Sequence, residues 1–396
     1  MTGQPSPART VVPNDVVIVS DLHVRPPRPG ADVEAARRRG GAFQRFAAAA
    51  LVEASAAGRG LDLILLGDTF DLPTSSGDRE EEEPGDAQED AWAAVSVADL
   101  SRIADAHGEV MRTFAQVVAG GATVHLVTGN HDAALQLPAV EAHLRQLIGQ
   151  DPRSGLAVHP WILHLPGLLY AEHGHQYHDI NAFPMALQPG PLGAAVGLPL
   201  WERVESLRTA RIGRRIVGSS AGLAREVGRL SLPARRSSLL SAYRRDVLPG
   251  YAEEIGLPAE TLLAIDRLSH ATIWSIAARL GRQLIGRVSS PRRNPGYLRT
   301  AALSIRSILD AADRGVPVYA FGHSHAPALE PLSAGLATAW YANAGSWAIV
   351  RPAELRRRLG PSRFGVVWIR PREGGSPDVR LRVWEDQAGR FGTFPG

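Results

Sequence analysis

The chain has 396 residues, 44% of them hydrophobic, and a formal net charge of +3; it can bury a sizeable core and is too long for one ordinary domain. It contains neither Cys nor Lys, which excludes disulfides, thiolate metal sites, a cysteine nucleophile, lysine Schiff bases and the lysine of a phosphate-binding P-loop. Charge is uneven: residues 78–90 carry eight acids and one Arg, whereas residues 179–300 carry 18 Arg against nine acids, a pointer to an anionic partner or to a solvated basic face.

Residues 1–14 lack an apolar core followed by a cleavage site, so they read as a flexible N-terminus and not as a secretory leader. The short apolar runs VVIVS (16–20), LDLILL (61–66) and ATVHLV (122–127) are bounded by turn signals and predict buried strands. Ala-rich stretches at about 31–57 and 92–119 predict the helices between them. A second strand pair is expected at about 156–165 and 168–173. Residues 179–300 show no strand pattern. They predict a Pro/Gly-rich apolar loop and then Arg-rich helices, with VESLRTARIGRRIV and ATIWSIAARLGRQLI at helical spacing. The apolar loop does not cross a membrane, because Pro184, Pro189, Pro191 and Pro199 would break a helix there. PRRNPG (291–296) reads as a turn, and strand signals return in VPVYAF (316–321), ATAWYAN (337–343), FGVVWI (364–369) and DVRLRVW (378–384). The economical organisation is a discontinuous α/β core over residues 15–178 and 301–390, interrupted by a helical insertion over 179–300.

Five short motifs directly follow predicted strands: Asp21-Leu22-His23, Gly67-Asp68-Thr69-Phe70-Asp71, Gly129-Asn130-His131-Asp132, His173-Gly174-His175 and Gly322-His323-Ser324-His325. In open α/β sheets ligands sit at that end of the strands. Asp and Asn are common turn residues, but turn chemistry explains neither the histidines nor their order. Carboxylates, an Asn and several imidazoles together suit two divalent cations. Such a pair, about 3.5–4 Å apart, can bind phosphoryl oxygens, activate water and support in-line displacement on a phosphate ester.

In this order the motifs resemble the calcineurin-like metallophosphoesterase family, over about residues 15–178 and 301–350. The resemblance implies an α/β fold, a two-sheet sandwich flanked by helices, here with a helical insertion as a lid. It implies two divalent metal ions, manganese first, with iron, zinc or magnesium as alternatives. One would be held by Asp21, His23, Asp68 and His325, the other by Asp68, Asn130, His173 and His323, with Asp68 bridging. A bridging hydroxide would be the nucleophile, His131 would donate a proton to the leaving oxygen, and Asp71 would orient His131. His175 competes with His173 for the fifth motif's ligand role, and His173 is preferred because it directly ends its strand. Arg25 is a candidate substrate-phosphate contact. His107, His125, His159, His164, His178 and His270 match no motif and are expected to be surface or core histidines. Asn343-Ala344-Gly345-Ser346-Trp347 is expected to be a structural turn near the site.

The insertion emerges between His173 and His323 and would cover the metals. Within the family this layout is similar to members of the UDP-2,3-diacylglucosamine pyrophosphatase type, although the insertion is longer than their lid. The expected reaction is hydrolysis of a phosphodiester or pyrophosphate, of a lipid-linked or nucleotide-sugar substrate, with peripheral membrane contact through the insertion. The alternative is a soluble nucleotide phosphodiesterase or phosphatase. A non-catalytic scaffold would have lost ligands that are all present here. Nucleic acid is disfavoured by the 6% aromatic content and the absence of a recognised module. The expected location is cytoplasmic, peripheral at the inner membrane.

Overall fold

Hydrophobic patterning places the first strands at the centre of a sheet. In β1 (Asp15–Val19), Val17 and Val19 join the core on one face while Val16 and Ile18 join the core on the other. In β2 (Leu61–Leu66), Leu63 and Leu65 alternate in the same way with Ile64 and Leu66. A strand covered on both faces must be apolar throughout, which is why these segments read as continuous runs.

The computed structural model describes residues 14–27, 33–73, 86–149, 155–178, 181–183, 185–188, 240–269, 296–332, 338–348, 359–360 and 362–395. β1 and β2 pair in parallel with β3 (Thr123–Val127) and β4 (Leu156–His159). On the other side β1 meets β10 (Arg363–Arg372) antiparallel, followed by β11 (Gly375–Glu385) and β12 (Arg390–Thr393). The seven-stranded order is β12-β11-β10-β1-β2-β3-β4. A second sheet of five strands has the order β5-β6-β7-β9-β8. It comprises β5 (Ile162–Leu165), β6 (Leu169–Glu172), β7 (Val318–Phe321), β8 (Ala328–Leu332) and β9 (Ala339–Asn343).

One apolar cluster, with Ile18, Ile64, Val127, Leu163, Ala171 and Ala320, draws on strands of both sheets and forms the filling of the sandwich. On the first sheet's outer face pack α1 (Val33–Ala56), α2 (Asp86–Ala106), α3 (Gly108–Ala119) and α4 (Pro138–Leu147). The outer face of the second sheet is covered by α5 (Leu248–Glu254), α6 (259–269) and α7 (Gly296–Ala311), through Tyr251, Leu262, Ile265, Leu298 and Ile305.

Three sequence expectations change. The run 156–165 is two strands in two different sheets: the chain leaves β4 at His159, turns at Pro160 and enters the second sheet as β5. The single helical stretch 92–119 is two helices broken at His107. β8 and β12 carried no strong strand signal, since β8 contains Pro331 and β12 is Arg390-Phe391-Gly392-Thr393. Within the expected insertion the described residues are helical at 240–254, 259–269 and 296–300. VESLRTARIGRRIV, ATIWSIAARLGRQLI and the apolar loop from residue 189 onward lie outside the described residues. Among the described residues no helix is long and apolar enough to cross a membrane.

β1 starts on a buried carboxylate. Asp15 accepts hydrogen bonds from Trp368 Nε1 (3.0 Å) and Arg370 Nη2 (2.8 Å), and Arg59 also donates to it. That network ties the α1–β2 turn and β10 to the strand that carries the first motif.

Candidate metal centre

The ends of β1, β2, β3, β6 and β7 meet at one edge of the sandwich, and each delivers its motif on a sharply turned loop. Five side chains there have left-handed backbone without being glycine: Asp21 (φ 56°), His23 (49°), Asp68 (52°), His323 (59°) and His325 (55°). Such residues are uncommon, and strain of this kind concentrates where side chains must be aimed. The loops are laced together by Asp21 N–H to Gly67 O (3.1 Å), His23 N–H to Asp68 O (2.9 Å) and Gly322 N–H to His173 O (3.0 Å). The motif glycines make room: a Cβ on Gly129 would fall on Asp68 Oδ1, and one on Gly67 on His173 Nδ1.

Three groups of ligand-type atoms result, the third being His23, Asp71 and His131, which shares His23 with the first. In the first, His325 Nε2 lies 3.0 Å from Asp21 Oδ1 and 3.3 Å from His23 Nε2. In the second, His173 Nε2 lies 3.1 Å from Asp68 Oδ2 and 3.3 Å from His323 Nδ1. Asp21 with His23 and His325, and Asp68 with His173 and His323, each bring three ligand atoms within 4.8 Å of one another. Asp68 Oδ2 is also 3.7 Å from His23 Nε2, so one carboxylate oxygen stands between the first two groups.

The other ring nitrogens are held. His173 Nδ1–H donates to Leu66 O (2.8 Å), His23 Nδ1 is 2.6 Å from Asp71 Oδ1, and His323 Nε2 is 3.0 Å from His178 Nδ1. Fixing the outer nitrogen of an imidazole fixes its tautomer and aims the inner lone pair. Two buried motif oxygens are left short of hydrogen bonds: Asn130 Oδ1 has no partner, and Asp21 Oδ1 has only the close His325 Nε2 at 3.0 Å. Buried oxygens are rarely left so, and a cation between the ligand groups would satisfy both. The residues present therefore fit divalent ions.

Electrostatics agree. Burial works against charge on Asp68, but His173, His131 and His23 hold its carboxyl well below the usual range. Asp21 is likewise lowered, against burial, by His325 and His173. Burial also opposes protonation of His23, yet the hydrogen bond to Asp71 and the charges of Asp68 and Asp21 push it up to about 9. For His173 the carboxylates of Asp68 and Asp21 overcome burial and raise it to about 10. The acids concentrate more negative charge than their surroundings neutralise, and protons on imidazoles do what a metal ion does better.

A family model for calcineurin-like phosphoesterases matches residues 15–221. The chain belongs to that family. It is accordingly a metal-dependent phosphoester hydrolase, of a family that usually binds divalent metals. No curated protein matches it. Among solved structures, a phosphopantetheinyl hydrolase from Mycobacterium tuberculosis aligns over 88% of this chain and 94% of its own, at 13% identity and a TM-score of 0.27, too loose a superposition to bear on substrate.

For this phosphoesterase the structure brings together Asp21, His23, Asp68, His173, His323 and His325; Asn130, next to His131 in its loop, is buried with its side-chain oxygen free. His175 stands apart: it is buried beside Phe183, belongs to none of the ligand groups, and burial and then His173 press its pKa down to about 3. His131 is the most open of the motif imidazoles, 41% exposed, with Nδ1 3.4 Å from Asp71 Oδ1. Asp71 reaches His23 more closely than His131, and its second oxygen is 3.2 Å from Arg25 Nη2.

Three residues escaped the sequence reading. Asp132, the last of its motif, is fully buried and accepts from Gly129 N–H (2.6 Å) and Thr69 N–H (2.7 Å), locking two metal loops together; burial and then the Asp68 charge raise its pKa to about 6. His178 contacts a motif imidazole. His107 Nε2–H donates to Arg25 O (3.0 Å). Only Asp132 carried a signal, its place in the motif. The 343–347 turn is structural as expected: Asn343 Nδ2–H donates to Gly322 O (2.8 Å), and Trp347 N–H to Asp21 O (3.2 Å).

Proposed function

We propose that this phosphoesterase hydrolyses a phosphodiester or pyrophosphate at a two-metal centre. Asp21, His23, Asp68 and His325 hold one ion, Asp68, Asn130, His173 and His323 the other, and Asp68 serves both. The observation that carries this reading is the position of Asp68 Oδ2, at 3.1 Å from His173 Nε2 in one group and 3.7 Å from His23 Nε2 in the other. Two divalent ions there would draw charge from the phosphoryl oxygens and supply hydroxide at neutral pH.

The chain's own groups do the rest. Asp68 Oδ1 accepts the His131 backbone N–H (2.9 Å), which sets that loop against the ligand cluster. The His131 ring stands open to substrate and donates a proton to the departing oxygen, with Asp71 holding its Nδ1 side. Arg25 contacts a phosphate oxygen. His178 holds the outer nitrogen of His323. The basic balance of residues 179–300, 18 Arg against nine acids, supports a lipid-linked or nucleotide-sugar substrate and peripheral contact with an anionic membrane. Manganese is the proposed metal, and the cytoplasm the proposed location.

Reconstitution tests this. The protein, stripped with EDTA and reloaded with manganese, should bind two ions per chain and hydrolyse bis-p-nitrophenyl phosphate and, in detergent, UDP-2,3-diacylglucosamine. Two bound ions with turnover of the soluble diester alone would keep the chemistry and remove the lipid. One ion per chain would remove the shared role of Asp68.

A further inference from the structure

β6 ends on a carboxylate that takes no part in the chemistry above. Glu172 is fully buried, and its three hydrogen-bond donors are all neutral. Trp161 Nε1–H reaches Oε2 (2.9 Å), and the hydroxyls of Tyr170 (2.9 Å) and Tyr177 (2.7 Å) both reach Oε1. Burying a carboxylate is costly, and apolar side chains of similar volume often hold a core at least as well. What three convergent hydrogen bonds to one charge add is direction.

The chain around Glu172 shows what is being directed. The next residue is His173, whose Nε2 belongs to the second ligand group. The backbone then reverses at Gly174 (φ 96°), where a Cβ would stand 2.7 Å from Leu298 Cδ2, and makes one 3-10 turn over His175–Tyr177. Tyr177 thereby comes back to Glu172, and its hydroxyl closes the 172–177 segment around His173. His178 follows directly. Its Nδ1 is 3.0 Å from His323 Nε2, and His323 Nδ1 is 3.3 Å from His173 Nε2. Glu172 is thus joined to one imidazole of the second group along the chain, and to the other through Tyr177 and His178. Tyr170 has no such path. It lies within β6, which β5 and β7 already hold in register on both sides.

We infer that Glu172 is a positioning residue for the second metal ion: it clamps the turn after β6 through Tyr177, so that His178 is held against His323. This rests on the proposed reading, in which His173 and His323 share that ion.

Titration of the EDTA-stripped, full-length protein with manganese, followed by calorimetry and metal analysis, tests the clamp. Tyr177→Phe should weaken one of the two ions about tenfold, the low end of the range for an outer partner, and leave the other within about threefold. Tyr170→Phe removes a hydroxyl from the same carboxylate oxygen but frees no turn, and should leave both ions within about threefold. Glu172→Gln, with one acceptor oxygen where three donors converge, should weaken the same ion at least as much as Tyr177→Phe; if it does not fold, the two Phe variants carry the test alone. Equal weakening by both Phe variants, or none by Tyr177→Phe, makes Glu172 a core residue only and overturns the inference. A double-mutant cycle with His178→Ala checks the route. If Tyr177 acts through His178, Tyr177→Phe should add less than about twofold to the loss that His178→Ala already causes. Fully additive losses overturn the route and the inference with it. One ion per chain in the wild type, weakened by Tyr177→Phe and not by Tyr170→Phe, would remove the two-metal reading and leave the clamp standing at that ion.

Discussion

At the residue scale the centre depends on how imidazoles are held as much as on which residues are present. His131→Ala should leave two ions bound and lower kcat by about 10²–10⁴-fold, the range of a lost general acid. The loss should shrink on nitrophenyl esters, whose leaving group needs no proton. Metal analysis beside steady-state kinetics checks it, and loss of an ion would make His131 a ligand. His178 is a different case. Its Nδ1 lies 3.0 Å from His323 Nε2, and its ring stacks on Tyr297 at 5.7 Å between centroids. His178→Ala should cost about 10–100-fold in metal affinity or activity, as removal of an outer-shell partner does. His178→Asn should recover part of it, a rescue that a packing role would not show. The ligand set was legible because catalysis constrains residue type and spacing. His178 was not, because an orienting contact needs only a suitable acceptor within reach, which leaves no spacing rule in the chain.

At the element scale each strand end works because its strand is held in register. β1 is held on both sides, by β2 and β10, and its Asp15 is anchored beneath by Trp368, Arg370 and Arg59. Asp15→Ala would strand two guanidinium groups, of which Arg370 is 37% exposed and water-screened. The expected loss is about 2–3 kcal/mol of stability, read by urea unfolding, with kcat unchanged while the protein is folded. A fall in kcat at full folding would mean that the anchor also aims the first motif. The central strands were legible because burial on both faces forces apolar runs. β8 and β12 were not, since a partly exposed edge strand tolerates Pro331 and Gly392. The run 156–165 hid a change of sheet because hydropathy records that a segment is buried, not which sheet it joins.

At the scale of the molecule the two sheets meet where the chain crosses from β4 to β5, and a histidine pair lies beside that crossing. His125 Nδ1 and His159 Nε2 are 3.0 Å apart with the rings stacked, and Asp62 Oδ1 is 3.7 Å from His125 Nε2. One ring can donate to the other only while the acceptor ring is neutral. Burial, and then the neighbouring His125, hold the pKa of His159 down to about 3, against 6.5 for a free imidazole. Between those values the unfolded chain binds a proton at this position that the folded chain refuses. Stability must therefore fall as pH drops below about 6.5 and be complete above it, at up to about 1.4 kcal/mol per pH unit for one such group. At pH 5 the cost is about 2 kcal/mol. His159→Gln keeps a polar side chain and cannot titrate, so its stability between pH 5 and 7 should change less than that of the wild type by about that amount. Urea unfolding of both proteins at the two pH values, in EDTA so that metal release does not contribute, measures the difference directly. Parallel pH profiles would mean that the crossing opens to water before it unfolds, and that the two sheets are less firmly joined there than the packing implies.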